Sequence, residues 1–254
     1  MSIAERFGLN GKVALVTGAR RGLGRAIAVA LADAGADVVG LGANPMPDTA
    51  AAVAARGRRF AEVTVDLGAA PDLEETAAEA HDRFGRIDIL VNNAGIIRRA
   101  DLLDYSEADW DAVMDVNLKS LFFLSQAAAR RMIEGRAAGR IINIASLLAF
   151  QGGVRVPAYT AAKHAVAGLT RALATELAPH AITVNAIAPG YMVTDNTEAL
   201  RNDPERSRQL LSRIPLGRFG EADEIASAVL FLAAPASSYV TGAIVSVDGG
   251  WLAR

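Results

Sequence analysis

Residues 12–17, KVALVT, run straight into Thr17-Gly18-Ala19-Arg20-Arg21-Gly22-Leu23-Gly24, and a helix-period pattern begins at Gly22. A short apolar, β-branched run followed by a glycine turn and a helix is the opening of a β-turn-α unit. The spacing Gly-x-x-x-Gly-x-Gly has a physical reading. Glycine lets the chain turn sharply, lets its backbone approach a ligand, and lets the helix pack closely on the strand. The helix N-terminus then offers unpaired N–H groups and the positive end of its dipole, which suits a pyrophosphate. An ordinary glycine-rich turn is the alternative, and the strand-before, helix-after context argues against it. No Gly-Lys-Ser/Thr follows, so this is not a nucleoside-triphosphate loop.

Outward from that unit the same alternation continues to the end of the chain. Residues 12–17, 37–41, 60–65, 87–91, 140–145, 182–187 and 243–247 read as strands. Most are apolar at nearly every position, which fits strands covered on both faces. Residues 22–34, 49–56, 72–84, 107–133, 158–177, 198–211 and 221–232 read as helices. Seven strands alternating with helices predict an α/β fold, a doubly wound seven-stranded parallel sheet. No linker, repeat or composition shift divides residues 1–254, so a single domain is expected. In such a sheet ligands bind beyond the carboxyl ends of the strands, where the strand order reverses.

Composition narrows the chemistry. Among 254 residues, 26 are basic and 28 acidic, giving a net charge of −2 and no basic stripe for nucleic acid. There is no cysteine, which excludes disulfides, thiolate zinc, thiol catalysis and iron–sulfur clusters. His81, His164 and His180 lie far apart without ligand spacing, so no metal site is expected. No apolar run approaches the ~18 residues of a membrane span, and residues 1–12 lack the apolar core of a signal peptide. A cytoplasmic protein is expected, working through hydroxyls, amines, amides, carboxylates or a bound cofactor.

Three places after the strands carry unusual residues. Tyr159 and Lys163 are four apart in a predicted helix and share one face. A phenol of pKa ~10 is a poor base at neutral pH, and a neighbouring ammonium favours its phenolate. Ser146 stands at the carboxyl end of the fifth strand. Asn117 falls in an apolar stretch of the long helix, where a buried amide left unpaired costs on the order of 1–3 kcal/mol.

Taken in order, Gly18-x-x-x-Gly22-x-Gly24, Asn92-Asn93-Ala94-Gly95, Asn117, Ser146, Tyr159-x-x-x-Lys163, and Pro189-Gly190 followed by Thr194 resemble the short-chain dehydrogenase/reductase family. The resemblance implies a Rossmann-type sheet and an oxidoreductase that moves a hydride between NAD or NADP and a CH–OH group. It implies catalytic roles for Asn117, Ser146, Tyr159 and Lys163. Tyr159 would exchange the hydroxyl proton, Ser146 would hold the substrate oxygen, and Asn117 would fix a water linking Lys163 to solvent. Cofactor contacts are implied for Gly18, Arg20, Arg21, Gly22, Leu23, Gly24, Asp66, Leu67, Asn93, Ala94, Gly95, Ile144, Tyr159, Lys163, Pro189, Gly190, Met192 and Thr194. The family's common assembly implies a homotetramer, consistent with apolar residues Leu121, Phe122, Phe123 and Leu124 on several faces of the long helix. A binding-only dinucleotide sensor would share the glycine turn but would be expected to lack the tyrosine, lysine or serine.

Cofactor preference is left open between NAD and NADP. Relatives that prefer NAD carry an acid at the end of strand two, where this chain has Gly42. Arg21 resembles the basic residue with which relatives that prefer NADP hold the 2′-phosphate. For the substrate, the loops 96–99 and 150–157 bring Arg98, Arg99 and Arg155 near the reaction centre. A planar guanidinium suits a carboxylate, although surface acids such as Asp101 and Asp104 are alternative partners. These segments, with residues 189–192 and 248–254, resemble the 2-keto-3-deoxy-gluconate dehydrogenase group of that family. That implies a small sugar-acid substrate, with Ser146, Gln151, Tyr191 and Asn196 as further contacts.

Overall fold

The computed structural model describes residues 2–136 and 138–254. The strands are β1 (Val13–Thr17), β2 (Asp37–Gly42), β3 (Phe60–Thr64), β4 (Ile89–Asn92), β5 (Arg140–Ile144), β6 (Thr183–Pro189) and β7 (Ile244–Val247). They form one parallel sheet in the order β3-β2-β1-β4-β5-β6-β7. β1, β4 and β6 are buried along their whole length, which is why their sequences show no polar alternation. The strand order reverses between β1 and β4, so a crevice opens beyond their carboxyl ends.

The helices are α1 (Ile3–Phe7), α2 (Gly22–Asp33), α3 (Pro47–Ala54), α4 (Leu73–Phe84), α5 (Glu107–Met114), α6 (Ser120–Glu134), α7 (Pro157–Leu177), α8 (Asp195–Asn202), α9 (Pro204–Leu211) and α10 (Ala222–Ala233). On one face Ile27 and Leu31 of α2 pack with Ile225, Val229 and Leu232 of α10 against the sheet. On the other, Ala77 and Ala80 of α4, Leu124, Ala128 and Met132 of α6, and Ala174 of α7 do the same. Small alanines at these contacts let the helix axes approach the strands.

Two helices expected to be continuous are interrupted. Within 107–133 a π-turn, Asp115–Lys119, separates α5 from α6. The Asn117 side-chain amide donates to Val113 O at 2.9 Å, the carbonyl that a regular helix would give to the Asn117 backbone N–H. The segment 198–211 divides at Asp203, because Pro204 has no N–H to continue a helix. Asp203 instead caps α9, its carboxylate accepting from the N–H groups of Glu205 and Arg206, both at 3.0 Å.

A buried polar chain ties the sheet to α6 and α7. Asn92 and Asn143, register partners on β4 and β5, are joined by Asn92 Nδ2 donating to Asn143 Oδ1 at 2.9 Å. Asn92 Nδ2 also reaches Ser125 Oγ at 2.9 Å, and Asn143 Nδ2 donates to Thr170 Oγ1 at 3.0 Å. Thr170→Val would keep the shape and strand the Asn143 amide, at a cost of about 1–3 kcal/mol. Thermal unfolding should show a melting temperature lower by roughly 3–10 °C. Thr175→Val on the exposed face of the same helix should change stability by less than about 0.5 kcal/mol. Equal melting temperatures for the two variants would mean that the chain carries no stability.

Candidate active site

At the carboxyl ends of the strands lies a cavity of about 680 Å³. Its first wall is the glycine turn after β1. A Cβ on Gly24 would fall 2.1 Å from the Gly18 carbonyl oxygen, so only glycine allows α2 to begin there. Gly18 has φ +66°, and a Cβ on it would meet Asn93 Nδ2 at 3.0 Å. Gly22, at φ +53°, has only the Thr194 methyl within 4 Å of where its Cβ would lie, at 3.9 Å. The turn is therefore tight against the protein on one side and open to the cavity at the helix N-terminus, as a bound pyrophosphate requires. The residues present fit a dinucleotide.

Thr17 clips the turn to the segment after β4. Its hydroxyl accepts from the backbone N–H groups of Asn93 and Ala94, both at 2.9 Å, and Asn93 Nδ2 donates back to Thr17 O at 2.9 Å. Asp66, two residues beyond β3, accepts from Gly68 N at 2.9 Å and so shapes the wall around Leu67. Gly190 packs where a Cβ would lie 2.6 Å from Asp248 Cα, which brings the ends of β6 and β7 together. All the residues expected to contact cofactor, from Gly18 to Thr194, line this one cavity.

Ser146, Tyr159 and Lys163 line it too. Ser146 opens the short turn after β5, and its Oγ accepts from Leu148 N at 3.2 Å. Tyr159 sits in the first turn of α7, started by Pro157 at a position that tolerates proline. Burial pushes the Tyr159 phenol up, against the hydrogen bond with Ser146 and the charge of Arg99, which pull it down. Lys163 is 3% exposed, and burial lowers its pKa from 10.5 to about 8. Its ammonium donates to Ile144 O at 2.6 Å and stands 5.4 Å from the centre of the Tyr159 ring. Asn117 does not line the cavity. Its Nδ2 donates to Ile96 O and Val113 O, both at 2.9 Å, and its buried Oδ1 has no partner among the described residues.

The arginines divide. Arg99 lines the cavity, but Arg98 and Arg155 do not. Arg98 pairs with Asp109 at 3.4 Å and Arg155 with Asp101 at 3.0 Å, the surface pairing that had been the alternative for them. Arg21 lines the cavity and pairs with Asp195 at 2.6 Å across its mouth. Gln151 and Tyr191 reach the wall as expected, and the side chain of Asn196 lies outside the described residues. Sequence reasoning missed Arg206, Arg213 and Trp251, which enter the wall from α9, the segment after it and the C-terminal turn. Among the described residues no group of His, Asp and Glu could hold a metal ion, and no helix is long and apolar enough to cross a membrane.

Residues 18–252 match the family model described as enoyl-(acyl carrier protein) reductase, of the adh_short_C2 type. The chain is 54% identical to 2-dehydro-3-deoxy-D-gluconate 5-dehydrogenase of Dickeya dadantii, over 99% of this chain and 100% of that one. The chain belongs to the short-chain dehydrogenase/reductase family. A candidate 2-deoxy-D-gluconate 3-dehydrogenase from Agrobacterium tumefaciens, solved with bound NADP, superposes with TM-score 0.93 at 54% identity, covering 98% of this chain and 99% of that chain. Gluconate 5-dehydrogenase from Burkholderia cenocepacia, in complex with NADP and tartrate, gives TM-score 0.94 at 38% identity over the whole of both chains. The protein is thus a Rossmann-type, NAD(P)-dependent oxidoreductase of this family.

The Lys163 shift has a consequence for the dehydrogenase's stability. Because the folded state disfavours the charged lysine, the burial penalty is complete below pH 8, where both states are protonated. As the pH rises from about 8 to about 10.5 the folded lysine gives up its proton before the unfolded one does, and the penalty is relieved. Denaturant unfolding of wild type and Lys163→Met across this window should show wild type gaining up to about 3 kcal/mol relative to the variant. Parallel stability curves would show that Lys163 titrates normally.

Proposed function

We propose that this dehydrogenase uses NADP to oxidise the C5 hydroxyl of 2-dehydro-3-deoxy-D-gluconate, with Tyr159 as the acid/base. The observation that carries the reading is the convergence of Ser146, Tyr159, Lys163 and Arg99 on one cavity wall, beside a glycine turn built for a dinucleotide. The names of the relatives supply the sugar acid, and the two NADP-bound neighbours supply the cofactor. Arg20 and Arg21 line the cavity, and Gly42-Ala43-Asn44 at the end of β2 carries no acid to repel a 2′-phosphate.

Ser146 donates to the substrate oxygen and holds it beside the Tyr159 hydroxyl. Tyr159, as phenolate, takes the hydroxyl proton as the carbon becomes a carbonyl, and returns it in the reverse direction. When bound, the nicotinamide supplies the hydride chemistry. Arg99 and Ser146 both favour the phenolate and counter part of the effect of burial, which still holds the phenol above its ordinary pKa. Lys163, anchored on Ile144 O, passes protons towards a water that Asn117 would hold on its Oδ1, an atom with no partner among the described residues. Gln151 and Tyr191 serve the sugar hydroxyls. Tyr159→Phe keeps the ring and removes only the titrating oxygen. Cofactor titration should give a Kd near that of wild type, while turnover should fall about 100-fold or more. Turnover within a few-fold of wild type would overturn the role of Tyr159.

The same reading makes the protein a cytoplasmic homotetramer serving uronate breakdown. Supporting the assembly, Trp110 and Phe123 on α5 and α6, and Phe231 and Tyr239 at and after α10, remain exposed apolar surface. Light scattering at micromolar concentration should give four times the 26.5 kDa chain mass. A monomer would refute the tetramer.

A further inference from the structure

The site described above leaves its most elaborately supported cation without a task. Arg213 follows α9 and lines the cavity. Its guanidinium carbon lies 4.0 Å from the centre of the Trp251 ring. Trp251 is itself 3% exposed and fixed on two sides, by its indole N–H donating to Gln151 Oε1 at 3.1 Å and by the Tyr191 ring at 4.9 Å. The turn that delivers Trp251 is equally constrained. Asp248 accepts from Gly250 N and Leu252 N, both at 2.9 Å, and Gly249 and Gly250 adopt φ of +64° and +88°. A Cβ on either glycine would meet Ile214 or Pro215 within 3 Å, at 2.8 and 2.9 Å. Segments after β5, β6 and β7 thus converge to hold one guanidinium.

A guanidinium stacked on an aromatic face keeps its in-plane N–H donors free, and these match the two oxygens of a carboxylate. Among the described residues no ion pair engages Arg213. Four other arginines line the cavity, of which Arg20 belongs to the glycine turn. Arg21 is bound to Asp195, Arg206 shares its Nη1 with Gln209 at 3.2 Å, and the charge of Arg99 acts on Tyr159. Arg99 is the cavity arginine whose charge bears on Tyr159, the group that faces the reacting carbon. In a sugar acid oxidised at C5 the carboxylate carbon is four bonds away, roughly 5 Å in extended form.

We propose that Arg213, presented by Trp251, binds the substrate carboxylate and sets the preference of the enzyme for sugar acids. This rests on the sugar-acid reading above. Trp251, held by Gln151 and Tyr191, acts through Arg213 as a positioning residue.

The test measures kcat and KM for the sugar acid and for its methyl ester, with NADP, in wild type, Arg213→Gln, Arg99→Gln and Arg206→Gln. Arg213 is exposed, so its replacement leaves the core intact, and cofactor titration checks each variant. Wild type should prefer the acid. Arg213→Gln should raise KM for the acid about 30-fold or more, with kcat/KM for the ester within about threefold, so the preference collapses. Arg99→Gln and Arg206→Gln should keep the preference, whatever they do to the rate. An undiminished acid preference in Arg213→Gln, or its loss in Arg99→Gln or Arg206→Gln instead, would overturn the assignment. A wild type with no acid preference would remove the sugar-acid reading and this proposal with it, a failure visible before any variant is measured.

Discussion

Everything at the carboxyl end of this sheet depends on one close approach, that of the α2 backbone at Gly24 to the carbonyl of Gly18. A single methyl there would stand 2.1 Å from oxygen. Because it is absent, the helix starts directly against the strand end, its N–H groups face the crevice, and Asn93 can bridge Thr17 O from the neighbouring β4 segment. The pyrophosphate cradle and the Asn93-Ala94-Gly95 wall are thus one object, locked by the Thr17 hydroxyl and the Asn93 amide. Side-chain polarity matters less here than the space that glycine leaves empty.

The second constraint is electrostatic, and its parts oppose one another. Burial raises the pKa of Tyr159 and depresses that of Lys163, so both groups are pushed away from their charged forms. Ser146, Arg99 and the Ile144 carbonyl work against that push. The arrangement stores instability at neutral pH and leaves Lys163 with a proton affinity closer to neutrality, a common trade in active sites. The π-turn at Asn117 belongs to the same economy. There the Asn117 side-chain amide donates to Ile96 O and Val113 O, and its Oδ1 has no partner among the described residues.

Much of this was legible in the sequence because the signals are local. The continuous apolar runs fixed the buried strands, and the glycine turn with Tyr159, Lys163 and Ser146 identified the family. Less local features were not legible. The apolar period runs unbroken through 107–133, so nothing in it reveals that Asn117 will compete for the Val113 carbonyl. Proximity in sequence to Ser146 and Tyr159 drew attention to Arg98 and Arg155, yet Asp109 and Asp101 hold both at the surface. Arg213 lies far from the catalytic motif in the chain. It lines the cavity beside a C-terminal turn that two left-handed glycines fold against Ile214 and Pro215.

The glycine turn, the Ser146, Tyr159 and Lys163 group and the Arg213 guanidinium line one cavity, and the proposed reading makes them an enzyme that removes hydride and proton from a hydroxyl of a small anionic sugar. The most direct measurement is reduced-cofactor absorbance after wild-type protein is mixed with NADP and 2-dehydro-3-deoxy-D-gluconate. The expected result is saturable formation of reduced cofactor, matched mole for mole by loss of the sugar acid. No reduction with the acid, while a neutral alcohol of similar size is oxidised, would contradict it.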